Sequence, residues 1–524
     1  MMLDAAQVWT GAQFFLKLPG YLRRPLTLGQ ARAHLAEGLR NRENLFLDKV
    51  RLDIFGYPER PYAQLMRCAG CEYGDIESQV RREGLDSTLH KLFQAGVYLS
   101  IDEFKGRRPA QRGSTVIEVQ PSMLQAPRAS YLLPARSGGT RSKGTPVMID
   151  LEFIRACAGN AAISLSSRGV DRWAKTSWES PGAGLRFRTV KYACWDGPPS
   201  ATFSQIDPES DAIPSYFRWN LRLLRWVSGA ARRPLPWPQY APLDNPRPIV
   251  AWLHQRRRAG EVPHVHAFTS SAVIACRWAI EHEVDISGSW FTLQGEPITR
   301  AAINTLRQAG CRAIPRYGTM EVGAIGYGCA HGDEADDMHL VTNMHGLIQA
   351  GDAGAAYGLP PKAVLITSLH AQAPFVMLNL SMGDQAEMAD RSCGCPLEAA
   401  GWAKHLWNVR SFEKLTGGGV TLHGTDVIRV LSEVLPGKFG GVQTDYQLAE
   451  KLGSDGEALL ELVVHPRLGD LPSDLIAEEF LDALSSRSDS DTMMIQRWRD
   501  AGTLRVVRRA PAVTQAGKIQ YLHI

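Results

Sequence analysis

The chain has 524 residues with 58 basic and 54 acidic side chains, a formal net charge of +4. That length exceeds one ordinary domain, and a composition 44% hydrophobic and 21% charged is that of a globular protein with a large core. The near-even charge excludes a general nucleic-acid or membrane-surface role and leaves Arg256-Arg257-Arg258 as a solvated helix face.

Asp4 comes early and no basic segment precedes an apolar one, so no signal peptide is expected. No apolar run approaches the ~20 residues of a spanning helix. Nine cysteines at this length point to a reducing, cytoplasmic setting rather than a disulfide scaffold.

From about residue 25 to 105 the pattern is helical. Leu26-Thr27-Leu28-Gly29-Gln30 reads as a helix start, Ala31 to Val50 places apolar residues at helical spacing, and Gly84 to Phe104 repeats it. Cys68 and Cys71 have knuckle spacing, but with no second such pair nearby they are expected to be incidental thiols. Between about 115 and 405, short apolar runs alternate with helical stretches, the texture of an α/β fold; Ser270 to Glu281 reads as a helix and Ala363 to Thr367 as a strand. The proline-rich stretch Arg232 to Pro248 reads as a surface crossing. Past 410 a helix is predicted over Asp426 to Val434, a strand over Ala458 to Val464 and a helix over Ser473 to Leu484. The expected organisation is a helical segment over 1–114 packed on a large domain, an α/β core over 115–410 and a small α+β domain over 411–524.

Five segments carry residues suited to nucleotide chemistry. Ser137-Gly138-Gly139-Thr140-Arg141-Ser142-Lys143-Gly144-Thr145 follows the strand-like Tyr131-Leu132-Leu133. Its small residues let backbone approach phosphate oxygens and its cations balance their charge; it reads equally as a surface turn, and it is not the GxxxxGK[ST] loop. Gly295-Glu296-Pro297 ends a strand-like run at the carboxyl edge, where α/β sheets bind ligands, or is a structural loop. Tyr317-Gly318-Thr319-Met320-Glu321 groups an aromatic face, a hydroxyl and a carboxylate, suited to base, phosphate and Mg²⁺. Asp384 follows the turn residue Gly383 and is placed to accept from ribose hydroxyls. Lys518 stands in Gly517-Lys518-Ile519, and alone reads as a solvated charge.

In this order the segments resemble the adenylate-forming superfamily of acyl-CoA synthetases and peptide-synthetase adenylation domains, and most of all its phenylacetate-CoA ligase-like group; Val409-Arg410-Ser411-Phe412-Glu413-Lys414 completes the match, which spans 137 to 519. The resemblance implies that a carboxylic acid is activated by ATP as its acyl-AMP and passed to CoA, or alternatively to an amine or a carrier-protein thiol. A nucleotide-binding protein without catalysis is the third reading. The resemblance gives the loop with Ser137, Gly138, Gly139, Thr140 and Lys143 to the β/γ-phosphates, and Gly295, Glu296 and Pro297 to the border of adenine, with Tyr317 stacked on it. Thr319 and Glu321 fall to the α-phosphate and magnesium, Asp384 and Arg410 to the ribose, and Lys518 to the reacting carboxylate and α-phosphate. It implies a mobile C-terminal domain hinged at Ser411-Phe412-Glu413. Three positions depart from the pattern: Met320 replaces a hydroxyl, Asn379-Leu380-Ser381 lacks two arginines, and Val409 replaces a glycine.

Cys329, one histidine and Cys393-Gly394-Cys395 offer the Cys₃His donors of a closed, structural zinc site. Of His331 and His339, the resemblance favours His339. His264 and His266 fit no such set; they are expected to be ordinary packing, the alternative being a place near the acyl pocket.

Overall fold

The computed structural model describes residues 5–129, 132–136, 139–140, 145–210, 213, 215–295, 298, 300–411, 415–417, 420–422, 427, 430–441, 445–452, 458–485, 495–496, 498–500, 502–512 and 522–523. The first predicted helix begins where the sequence indicates. Thr27 Oγ1 accepts from the Gln30 amide and the Gln30 side chain accepts from the Thr27 amide, a capping box that opens helix Leu28–Arg40. Helices Arg42–Lys49, Pro61–Cys68, Tyr73–Glu83 and Leu85–Gln94 follow. Their apolar faces, with Leu35, Phe46, Val80, Leu89 and Phe93, share one core with Leu347 and Ile366 of the central sheet. Each such buried side chain contributes roughly 1.5–3 kcal/mol.

Among the described residues that sheet has 12 strands. In one half Gln239–Tyr240, Phe203–Ser204, Trp173–Glu179, Val262–Phe268, Trp290–Gln294 and Arg312–Thr319 run parallel. In the other half Gly323–Gly328, Met338–Leu340, Lys404–Ser411, Leu380–Asp390, Ala363–Ser368 and His345–Gln349 pair antiparallel. Ala363–Ser368 is buried along its whole length, as an apolar run inside a covered sheet should be. Strand Arg312–Thr319 is the seam: parallel to Trp290–Gln294 on one side, antiparallel to Gly323–Gly328 on the other. Helices over the parallel half, among them Thr269–Glu281, enclose a second core.

A third apolar cluster lies wholly within 427–498. It packs helix Ser473–Ser485 on a four-stranded sheet ordered Leu504–Arg508, Ala458–Val464, Tyr446–Leu452, Leu522–His523. The backbone of Gly139–Thr140 pairs with Val420–Leu422, so the expected phosphate loop meets the segment that follows residue 411. The result is a mixed α/β fold with a large mixed sheet and a small C-terminal sheet. The proline-rich crossing ends sooner than predicted. Helix Arg247–Arg258 takes in Pro248, which its first turn tolerates because that amide has no helical partner. Among the described residues no helix is long and apolar enough to cross a membrane.

Candidate active site and metal centre

The seam strand turns back at 320–322 into Gly323–Gly328. A Cβ at Gly318 would collide with the Gly323 carbonyl oxygen, so glycine is what lets this hairpin close. Gly295, at φ +78°, ends the neighbouring strand, and a Cβ there would stand 2.9 Å from the Phe268 ring. These two glycines bring the carboxyl edge of the parallel half against the hairpin.

The hydroxyl of Tyr317 donates to Asp384 Oδ2 at 2.9 Å, joining two expected nucleotide ligands from the two halves of the sheet. Burial and the neighbouring Asp384 carboxylate raise the Tyr317 pKa, so the phenol keeps its proton. Thr319 Oγ1 is buried and has no hydrogen-bond partner among the described residues. Glu321 is 3% exposed. Its Oε1 lies 3.0 Å from Lys105 Nζ, which also donates to Thr145 Oγ1 at 2.7 Å. Arg410 does not reach Asp384. Its Nη1 lies 3.1 Å from Asp336 Oδ2, and Asp336 also accepts from the Asn408 and Val409 amides. Ser137, Gly138, Lys143, Glu296, Pro297, Lys518 and the expected hinge residues Phe412 and Glu413 lie outside the described residues, as does the side chain of Thr140; Gly139 is described by its backbone.

The departures from the pattern have local reasons. Met320 packs half-buried against the main core. Asn379, at φ +50°, donates through Nδ2 to the Leu89 and Val97 carbonyls, and the Ser381 amide donates to Leu99 O. These residues clamp the N-terminal helices to strand Leu380–Asp390, in a buried place where arginines would not fit.

The cysteine cluster forms at the far end of the antiparallel half. The donor atoms of Cys329, His339, Cys393 and His405 all lie within 4.8 Å of one another, and Cys395 Sγ is 3.1 Å from His339 Nε2. His339 Nδ1 is hydrogen-bonded to Trp402 O, which leaves Nε2 facing the thiols. Burial, then His405, lowers the His339 pKa to about 4 and keeps the imidazole neutral, the form that binds metals. Burial opposes ionisation of Cys395, but amides of Glu398, Ala330 and Leu397 outweigh it and hold the thiol below its ordinary value. His331 turns elsewhere: its Nδ1 lies 3.2 Å from Cys393 O. His405, absent from the predicted set, offers a buried Nε2 with no partner among the described residues, while its Nδ1 lies 2.8 Å from Asp337. The donor set fits zinc. Cys68 is exposed and Cys71 partly so, with no metal-ligand group beside them among the described residues.

Sequence reasoning missed Lys105, Asp336 and His405. Lys105 follows Ser100-Ile101-Asp102-Glu103, a capping box visible in the sequence, but its pairing with Glu321 is made by the fold alone.

No protein-family model matches the sequence, and no curated protein matches it. Among solved structures, a 2-hydroxyisobutyryl-CoA ligase in complex with 2-HIB-AMP and CoA matches at a TM-score of 0.54 and 15% identity, over 92% of this chain and 90% of its own. An amide bond synthetase from Marinactinospora thermotolerans matches at 0.40 and 12% identity, over 88% and 92%. At such identities the likeness is one of fold, and the first of the two carries it: this chain has the fold of the adenylate-forming ligases.

Proposed function

We propose that the protein activates a carboxylic acid with ATP and transfers the acyl group to the thiol of CoA. The observation that carries this reading is the grouping at the seam: the Tyr317–Asp384 bond, the Thr319 hydroxyl with no partner among the described residues and the buried Glu321 held by Lys105. In the first step a carboxylate oxygen attacks the α-phosphorus and the bond to the β-phosphate breaks, releasing pyrophosphate. In the second a thiolate attacks the acyl carbonyl and AMP leaves.

Both reactants of the first step are anions, so cations and donors must offset the charge. Thr319 donates to the α-phosphate, and Lys518 meets it and the reacting carboxylate. The loop with Ser137, Gly138, Gly139, Thr140 and Lys143 holds the outer phosphates. Tyr317 stacks on adenine beside Gly295, Glu296 and Pro297, and Asp384 accepts from the ribose. Arg410 joins it once released from Asp336. Glu321 would hold magnesium, which supplies charge neutralisation at the phosphates. A set drawn from Cys329, His339, Cys393, Cys395 and His405 would hold zinc in a structural role, since it offers enough protein donors to leave no position open to a substrate.

Pyrophosphate release over a panel of carboxylic acids tests the reading, with CoA, a carrier-protein thiol or amines then offered to the acyl-AMP. Acid-dependent release followed by a thioester is expected. Absence of acid-dependent pyrophosphate across the panel, with ATP bound, would leave a nucleotide-binding protein instead.

A further inference from the structure

Behind the seam strand, on the face opposite Tyr317, lies an excess of buried positive charge. Helix Ala183–Cys194 covers this part of the parallel half, and every residue from Leu185 to Cys194 is buried. Arg188 meets Glu179 in a two-pronged buried ion pair and is thereby neutralised. Lys191 and Arg316, 2% and 6% exposed, have no carboxylate partner among the described residues. Arg316 Nη1 donates to the neutral amide of Gln294 at 2.5 Å, while its Nε is buried without a hydrogen-bond partner among the described residues. Burial first, then Arg316 and Arg188, drives the Lys191 pKa down; burial, then Arg188, Lys191 and Arg316, does the same to His266. The four groups therefore feel one another.

A lysine can escape such a place by losing its proton, but a guanidinium cannot. A buried Arg316 answered among the described residues only by neutral groups, the Gln294 amide and the Tyr327 hydroxyl, is costly unless an anion joins it. The cluster's position says which anion. Neighbouring strand residues point to opposite faces, so Arg316 looks away from the nucleotide side marked by Tyr317 and Asp384. Gln294 precedes Gly295 at the same carboxyl edge. Arg316 and Thr319 are three steps apart along the strand, on the order of 10 Å.

We infer that Lys191 and Arg316 form a subsite for a second anionic group on the acid substrate, which is therefore a dicarboxylic acid whose carboxylates stand on the order of 10 Å apart or somewhat less. Which carboxylate reacts rests on the proposed function; the anion subsite does not. His266 and Gln294 orient the bound carboxylate, and Arg188, occupied by Glu179, does not contribute.

The test is binding without ATP, read by calorimetry and thermal shift, using azelate and biphenyl-4,4′-dicarboxylate against their monomethyl esters and inorganic phosphate. The diacids should bind at least about tenfold tighter than the monoesters, the scale of one hydrogen-bonded buried charge. Lys191→Met and Arg316→Gln should each abolish that preference. Lys191→Met should also raise the melting temperature of the ligand-free protein, since it removes a buried amine that has no carboxylate partner among the described residues. Circular dichroism checks that both variants fold. Monoesters binding as tightly as diacids, a preference that survives in both variants, no binding of either class at 10 mM or so, or phosphate matching the diacids would each overturn the subsite. Pyrophosphate release is then measured separately: a diacid preference in binding without turnover would sink the proposed ligase activity and leave the subsite standing.

Discussion

Lys105 illustrates what one side chain does at this site. Its ammonium sits between Glu321 and Thr145, and both the lysine and the glutamate are nearly buried. The carboxylate proposed for magnesium thus already has a cation beside it, so the nucleotide-free protein does not bury that charge unpaired. Lys105→Met should lower the stability of the ligand-free protein by on the order of 3 kcal/mol, and Mg²⁺·ATP should recover a large part of the loss. Thermal unfolding with and without Mg²⁺·ATP decides it; an equal deficit in both conditions would make Lys105 a purely structural partner. Lys518 belongs to the same scale. Lys518→Ala should cut acyl-AMP formation by about 10²-fold or more while sparing thioester formation from pre-made acyl-AMP. Equal loss in both half-reactions would reject its role. Tyr317, Thr319, Glu321 and Asp384 were legible in the sequence because each residue type states its chemistry inside a short segment. Lys105 and Arg316 were not, because a lysine after a short helix or an arginine within a strand acquires meaning only from partners supplied by distant strands and helices.

At the scale of elements, strand Leu380–Asp390 explains why a motif can lose residues and keep its place. Asn379 and Ser381 donate to Leu89 of helix Leu85–Gln94 and to Val97 and Leu99 just beyond it, and the strand still presents Asp384 to Tyr317. The strand's far end leads into Cys393-Gly394-Cys395, whose Glu398 accepts from the Cys393 and Gly394 amides and fixes the turn. About one zinc per chain is expected by metal analysis, and Cys393→Ser should remove it and lower the melting temperature. Comparing Cys395→Ser with His405→Ala then separates a Cys₃His site from one that uses both histidines, because only a true ligand's loss should release the metal. A zinc-free protein of full stability would end the idea. The sequence showed the helix starts, the fully apolar strands and the cysteine pair, since caps, runs and spacing are local signals. It showed neither the seam between parallel and antiparallel halves nor His405, because strand pairing is set by packing on both faces rather than by any residue in the strand.

The molecule as a whole buries several histidines in neutral form, which sets how it responds to acid. His264 lies against Trp173, with Nε2 2.8 Å from Thr292 Oγ1; His345 Nε2 is 2.9 Å from Ala324 O; His370 packs on Phe153 near Lys49 and His345. Burial is the first cause in each case, lowering the pKa to about 3 for His264 and about 4 for His345 and His370. In the unfolded chain these groups titrate near 6.5. Between pH 6.5 and 4 the unfolded state therefore binds more protons than the folded state, and stability must fall as pH falls through that window. The slope is about 1.4 kcal/mol per pH unit for each such histidine. At the other limb the direction reverses. Burial, as first cause, raises Tyr98, Tyr327 and Tyr446 to about 12, so between pH 10 and 12 the unfolded chain loses protons that the folded one keeps, and stability falls as pH rises. Urea unfolding at pH 4.5, 7.5 and 11 should give its highest free energy at 7.5. His370→Asn, whose side-chain oxygen can still accept from the Gln372 amide, should flatten the acid limb by about one histidine's share without changing the alkaline one. An acid limb of unchanged slope in that variant, with the fold intact by circular dichroism, would mean that His370 is already charged in the native core.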